Sequence, residues 1–395
     1  MASESLTLVV NPGSASRKYA VFGNGHKWAS INFEFVDGKI IGSIEHAGES
    51  HSKTYDDTDL NNMPRYVMPL LHEYNVVDDT DKIAVIGVRI VAPSKHFVQD
   101  ELVTAEIEAE LDAVQQIVPL HITTELLEIK QLKNHFDGVP IIAISDSAFH
   151  ASKPEFAWRY GIDVELADRL NIKRFGYHGV SIGSVVRHLD SHGVLLPKTI
   201  VCHLGSGSSV TAVSDGKSID TSMGYTPLEG LVMASRSGSI DVAAALAIKR
   251  ELNLSDDGLE RYLNKQCGLL GISGSSNDIR QLLENEALGD EKARLALQVF
   301  VYHVQQAIGQ MAAALCGVDC VVFTGTVGER SSIIRGRILD NLGYLDFHYD
   351  QNSNNSAFEP VEAVNIGSGS SKPILVISTD EAVEIARRAE EYIRD

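Results

Sequence analysis

The sequence predicts an α/β protein of two domains that are copies of one plan. Three observations carry this. The 395 residues exceed what one hydrophobic core usually organises. Apolar runs such as those ending at Val10 and Ile144 are short and bounded by turn residues, the mark of mixed strands and helices. One hairpin pattern also occurs twice in the chain.

The first copy is Val9-Val10-Asn11-Pro12-Gly13-Ser14-Ala15-Ser16-Arg17-Lys18-Tyr19-Ala20-Val21, and the second begins Val201-Cys202-His203-Leu204-Gly205-Ser206-Gly207-Ser208. Aligned without a gap, Gly13, Ser14, Ser16, Ala20 and Val21 fall on Gly205, Ser206, Ser208, Ala212 and Val213. Each copy reads as strand, Gly/Ser turn, strand, then a second turn at Asn24-Gly25 or Asp215-Gly216. Short Gly/Ser turns also recur by chance, but one copy at the start of each expected domain favours duplication. Two such loops, rich in exposed N–H and hydroxyl groups, suit a nucleotide held in a cleft between two domains. Gly216-Lys217-Ser218 lacks the glycine of a Walker-A loop, and no Gly-x-Gly-x-x-Gly joins a strand to a helix.

Composition narrows the partners. Fifty-three carboxylates against 34 Lys plus Arg give a net charge of −19, which repels nucleic acid and anionic membranes. No apolar stretch reaches membrane-spanning length and the N-terminus lacks a signal peptide's features, so a cytoplasmic location is expected. Cys202, Cys267, Cys316 and Cys320 lack metal-ligand spacing and read as buried thiols, with Cys316 and Cys320 able to share a helix face.

Candidate chemical groups cluster at predicted strand ends. Arg89 closes the run Ile83–Val88, and Asp146 follows Pro140–Ser145, where open sheets collect ligands; a solvated arginine and a helix cap are the plainer readings. His178 lies in Phe175-Gly176-Tyr177-His178-Gly179, a place equally suited to a satisfied core histidine. Arg236 sits in a small-residue loop that leaves its fork free for phosphate or carboxylate. Glu381 follows Ile374–Ile377, where its spacing from Ser378 fits a capping box and its carboxylate also suits Mg²⁺.

Asp220-Thr221-Ser222-Met223-Gly224-Tyr225-Thr226-Pro227-Leu228-Glu229-Gly230 resembles a signature of the acetate kinase family. The resemblance runs from Asn11–Ser16 through Asp146–His150, Phe175–Gly179, Gly268–Gly274 and Phe323–Gly325 to Ser378–Glu381. It implies two duplicated ribonuclease H-like (actin-like ATPase) domains around a nucleotide cleft, here expected at 1–147 and 148–381, with a C-terminal helix 382–395 packing on the first. It implies a homodimer and a reversible transfer of the ATP γ-phosphate to acetate, giving acetyl phosphate and ADP. Asn11 and Glu381 would serve Mg²⁺ (or Mn²⁺), and Ser14, Ser16 and Lys18 would lie near the transferring phosphate. Arg89 and Arg236 would hold the acyl and phosphoryl groups, Asp146 would act on the carboxylate or a water, and His178 would stabilise the transition state. Val91, Leu120, Tyr177 and Pro227 match the family's acyl pocket. ATP or ADP would contact His203, Leu204, Gly205, Ser206 and Gly207; Asp278, Ile279 and Arg280; and Thr326, Val327, Gly328, Glu329 and Arg330.

The chain departs from the family pattern at several of these places. Val88 stands before Arg89 where the family has His, and Ala92-Pro93-Ser94 follows where it has His-Gly-Gly. Ile122 and Ser206 each replace Asn, Ser239 replaces Asp, and Thr326 replaces a Gly whose absence crowds the nucleotide segment. Propionate or another short acid as acceptor, pyrophosphate as donor, and a non-catalytic binding paralogue are the rival readings.

Overall fold

A computed structural model describes residues 5–13 and 16–394, the side chains of 119–121 excepted. The chain forms two compact units, one comprising the residues up to Ala148 together with those from Asp380 onward, the other Phe149–Thr379.

The first unit is built on an eight-stranded sheet in the order β5-β4-β3-β2-β1-β6-β8-β7. Its strands are β1 (Ser5–Pro12), β2 (Ser16–Gly23), β3 (His26–Val36), β4 (Lys39–His46), β5 (Glu49–Tyr55), β6 (Lys82–Ile90), β7 (Glu101–Leu102) and β8 (Ile141–Ser145). β1, β6 and β8 are parallel, and β2 to β5 extend the sheet antiparallel from β1. Leu6, Leu8, Val9 and Val10 of β1 are all buried, as expected of a central strand covered on both faces. The outermost strand β5 is almost wholly exposed and polar, which blunts a free edge.

The second unit's sheet runs β11-β10-β9-β12-β14-β13, formed by β9 (Lys198–Leu204), β10 (Ser208–Ser214), β11 (Lys217–Thr221), β12 (Cys320–Thr324), β13 (Val364–Asn365) and β14 (Ile374–Val376). β9, β12 and β14 are parallel, while β10 and β11 meander antiparallel from β9. The strands β3-β2-β1-β6-β8 and β11-β10-β9-β12-β14 thus repeat one order with the same directions, and the β1–β2 and β9–β10 connections are equivalent. The duplication expected from the hairpins is realised.

The helix Glu381–Arg394 belongs to the first unit. Ile385, Ala386 and Ala389 form its buried stripe, and it packs on β1, β6 and β8. A side chain at Gly87 of β6 would stand 2.8 Å from Ile385 Cγ2 and 3.1 Å from the Ala389 methyl, so glycine sets how closely the helix approaches the sheet. Arg388 donates from Nε to Asp100 (2.9 Å) and from Nη2 to the Ser145 carbonyl (3.0 Å), which ties the helix to the end of β8. Asp380 caps this helix by accepting from Val383 N at 3.0 Å. The capping box from Ser378 is therefore not formed, and the Ser378 hydroxyl is buried with no partner among the described residues.

The cysteines also depart from expectation. Cys202 and Cys320 are buried, but Cys267 is half-buried and Cys316 exposed. The helix Glu291–Ala314 ends before a turn leads into β12, so Cys316 and Cys320 share no helix face.

Gly87→Val is expected to destabilise the first unit by about 1–3 kcal/mol through overpacking, read as a lower urea midpoint. An unchanged midpoint would mean that the helix does not lie this close to β6.

Candidate active site

In the first unit, the expected residues gather at the carboxyl ends of the parallel strands. Arg89 near the end of β6 forms a two-pronged pair with Asp146, just past β8, through Nε–Oδ1 at 3.2 Å and Nη2–Oδ2 at 2.8 Å. Its Nη1 lies 3.5 Å from Asn11 Oδ1, and Asn11 Nδ2 donates to Glu381 Oε2 at 3.0 Å. The parallel register β1–β6–β8 produces this chain of contacts, because it brings three strand ends to one edge. Burial opposes the Arg89 charge, yet Asp146 and then Glu381 attract its proton, and the net effect raises its pKa above the ordinary arginine value. Asp146 is almost wholly buried. Removing one partner of such a pair strands the other charge.

Lys18 is the cross-strand partner of Asn11, so its exposed side chain shares Asn11's face of the sheet. The half-buried Ser16 closes the loop by accepting from Gly13 N at 2.9 Å through its carbonyl. Ser14 lies outside the described residues. The buried Arg17 braces the same loop: it donates to the Gly13 and Ser16 carbonyls, to Asn61 Oδ1 at 2.7 Å, and from Nε to the buried Glu128 at 3.1 Å. Glu128 also accepts from the Tyr19 hydroxyl at 2.6 Å.

Glu125 was not singled out from the sequence, yet it sits beside this group. Only 2% exposed, it accepts from the Val91 backbone N–H at 2.9 Å through Oε1, while Oε2 has no partner among the described residues. Burial pushes its carboxyl up to about 8, partly offset by the Val91 bond and by Arg89. A legible signal existed, since Glu125 falls on the helical stripe of Ile122, Ile129 and Leu132, all buried. Ile122, where the family pattern has an amide, is simply core. Val91 is buried, and the side chain of Leu120 lies outside the description.

The second unit holds the remaining candidates. His178 caps the helix Gly179–Ser191 in a left-handed conformation, φ +63°. Its Nδ1 lies 2.9 Å from Ser209 Oγ, and its ring stands 4.2 Å from that of His203, whose Nδ1 meets Ser181 Oγ at 2.7 Å. A side chain at Gly207 would come within 3.0 Å of His178 Nε2 and 3.6 Å of Arg236 Nη1, so the glycine loop, His178 and Arg236 converge. Arg236 Nη1 donates to the Pro227 carbonyl at 3.2 Å. The buried Tyr177 donates its hydroxyl to the Tyr225 carbonyl at 2.6 Å. Ser239 exchanges backbone and hydroxyl hydrogen bonds with Gly230, so the serine that stands in place of Asp has a structural task.

Beside the glycine loop lies a cavity of about 610 Å³ lined by Gly205, Ser206, Asp278, Ile279, Arg280, Thr326, Val327 and Arg330, as expected, and also by Asn277, Leu283, Ile333 and Phe358. That volume suits a nucleotide-sized ligand, and the exposed Thr326 is part of its lining. The pocket's cations already have partners, Arg280 on Asp278 at 2.6 Å and Arg330 on Glu359 at 2.7 Å. His203, Leu204, Gly207, Gly328 and Glu329 do not line it. Leu204 is core. Glu329 points inward, where Oε1 accepts from Gly325 N at 2.8 Å, Thr324 Oγ1 at 3.3 Å and Thr379 N at 3.3 Å. Its carboxylate shapes the turn that presents Thr326 and Val327.

The chain matches the Acetokinase family over residues 6–387. It is 35% identical over 400 residues to an acetate kinase of Bacillus cytotoxicus, covering 97% of this chain and 98% of that protein. Among solved structures it is similar to a propionate kinase from Francisella tularensis, with TM-score 0.89, 33% identity and coverage of 98% of this chain and 99% of that one. It is similar also to the acetate kinase of Porphyromonas gingivalis, with TM-score 0.86, 27% identity and coverage of 98% and 100%.

A carboxyl held above its ordinary value of 4.5 stabilises the fold fully below that pH and loses its contribution as pH rises through its folded value. Melting temperatures from pH 5 to 9 should therefore fall more steeply for the wild-type chain than for Glu125→Gln, with Glu128, pushed up to about 7, contributing equally to both. Parallel curves would mean that Glu125 is not held neutral.

Proposed function

Because the chain belongs to the Acetokinase family, we propose that it is an acetate kinase that reversibly transfers the γ-phosphoryl group of ATP to acetate, giving acetyl phosphate and ADP, with Mg²⁺ as the metal. Phosphoryl transfer between a nucleotide and a carboxylic acid is its chemistry. The observation that carries the finer reading is the contact chain Glu381–Asn11–Arg89–Asp146, a fixed guanidinium fork beside two hard oxygen donors.

The difficulty of the reaction is bringing an anionic carboxylate to an anionic phosphate, so catalysis rests on positioning and on positive charge. Arg89, oriented by Asp146, binds and aims the acid's carboxylate, and Lys18 lies near the transferring phosphate. Asp146 acts on the carboxylate or on an attacking water. Arg236 takes charge off the transferring phosphoryl group, held ready by the Pro227 carbonyl. If His178 Nδ1 accepts from Ser209 Oγ, Nε2 carries the proton and would donate it to a phosphoryl oxygen near Gly207. The nucleotide occupies the cavity of the second unit, its base against Ile279, Leu283, Ile333 and Phe358. The Asn11 amide oxygen and the Glu381 carboxylate fit Mg²⁺ or Mn²⁺, which prefer oxygen ligands and keep several waters. When bound, the ion would neutralise phosphate charge.

We also assign a homodimer and a cytoplasmic location. The helix Val242–Glu251 supports the first: it buries none of its residues within the chain and leaves Val242 73% exposed and Leu246 41% exposed, an apolar surface that a second copy would cover. Four free thiols accord with a reducing compartment.

A hydroxamate assay for acyl phosphate should give turnover with ATP and acetate, and Arg236→Ala should lower kcat by roughly 10²-fold or more while far-UV circular dichroism stays unchanged. Turnover with pyrophosphate alone would displace ATP as donor, preference for propionate over acetate would displace the acid, and turnover with neither donor would leave a binding protein. Val242→Glu is expected to shift the chain from dimer to monomer in light scattering after size exclusion; a persistent dimer would place the interface elsewhere.

A further inference from the structure

On the surface of the second unit, away from the residues assigned to catalysis, the helix Gly179–Ser191 ends in two histidines one turn apart. His188 lies in its last turn and His192 is its C-cap. Their rings stack at 4.1 Å with an interplanar angle of 24°. Both Nε2 atoms face one carboxylate oxygen, Glu362 Oε2, at 3.4 Å from His188 and 3.6 Å from His192. Taken as one donor atom per residue, the three ligand atoms lie within 4.8 Å of one another.

We propose that His188, His192 and Glu362 form a metal site for Zn²⁺ or a chemically similar divalent transition metal, separate from the Mg²⁺ chemistry of phosphoryl transfer. Two imidazoles and one carboxylate are a three-ligand zinc set, leaving the fourth tetrahedral position to water. Ligand atoms about 2.0 Å from a tetrahedral zinc stand roughly 3.3 Å apart, so the two measured Nε2–Oε2 separations need little adjustment.

The tautomer of His192 is already set for this role. Its Nδ1 lies 2.8 Å from the His188 carbonyl, an oxygen that can only accept, so Nδ1 carries a proton and Nε2 is the nitrogen that the neutral ring would offer to a metal. Metal-ligating histidines are typically oriented in this way by their other ring nitrogen. An imidazolium–carboxylate pair is the competing account of these contacts. A metal here would clamp the end of the helix whose other end is capped by His178 to the segment following Pro360.

Imidazole donors select transition metals over Mg²⁺, which provides the control. Calorimetric titration of the chelator-treated full chain with ZnCl₂, in excess MgCl₂ at pH 7.5, should show one zinc per chain that His188→Ala and His192→Ala each weaken by roughly 10-fold or more. Co²⁺ in place of Zn²⁺ should give a visible absorption band in the wild-type chain and not in His192→Ala. Zinc should also raise the melting temperature of the wild-type chain and not of His192→Ala, whose side chain is half-exposed. Absence of zinc binding, or zinc binding undiminished in both histidine variants, would overturn the site and leave a simple ion pair; neither result bears on the kinase reading.

Discussion

The pairing of Arg89 with Asp146 is the constraint around which the first unit is arranged. A guanidinium placed at the end of a buried strand needs a counter-charge, and the parallel register of β6 and β8 supplies one at hydrogen-bonding distance. Once Asp146 holds two of its nitrogens, the remaining edge of the fork has one orientation, and Asn11 at the end of β1 is its neighbour. The helix Glu381–Arg394 then completes the group by bringing Glu381 to Asn11. Four residues distant in sequence thus become one electrostatic unit because three parallel strands end together.

The second unit solves a different problem with the same topology. Both first loops carry glycine and serine, but where the first unit has Asn11, a bracing Arg17 and Lys18 the second has His203, Ser209 and Val210, so its hairpin lacks the two cationic side chains. Gly207 has no side chain to separate His178 from Arg236, and Glu329 turns inward to hold the segment that lines the cavity. Duplication supplied the frame, and divergence of the two loops divided the labour.

The repeat was legible because an ungapped match between two hairpins survives in the letters, and the strand-end positions of Arg89 and Asp146 followed from the apolar runs before them. What the sequence hid depends on which way a polar side chain turns. Glu329 sits in a stretch that contacts the cavity, yet its own carboxylate faces the core. Asp380 rather than Ser378 caps the last helix, a choice made by where the chain leaves β14 and not by spacing. Glu125 shows the converse: its place on an apolar stripe was visible, but its burial beside Arg89 arises only when the helix Pro119–His135 packs on the sheet.

The closeness of the C-terminal helix to β6, permitted by Gly87, has a consequence for biosynthesis. Residues 149–379 form an uninterrupted stretch that can emerge from the ribosome as a whole, whereas the earlier-made segment lacks its covering helix until that entire stretch has been synthesised. Domains generally fold as units while the chain is being made. Here the portion synthesised second can mature first, and the nascent sheet of the first unit must wait with the apolar face at β6 uncovered, open to chaperones, until the helix Glu381–Arg394 has been made.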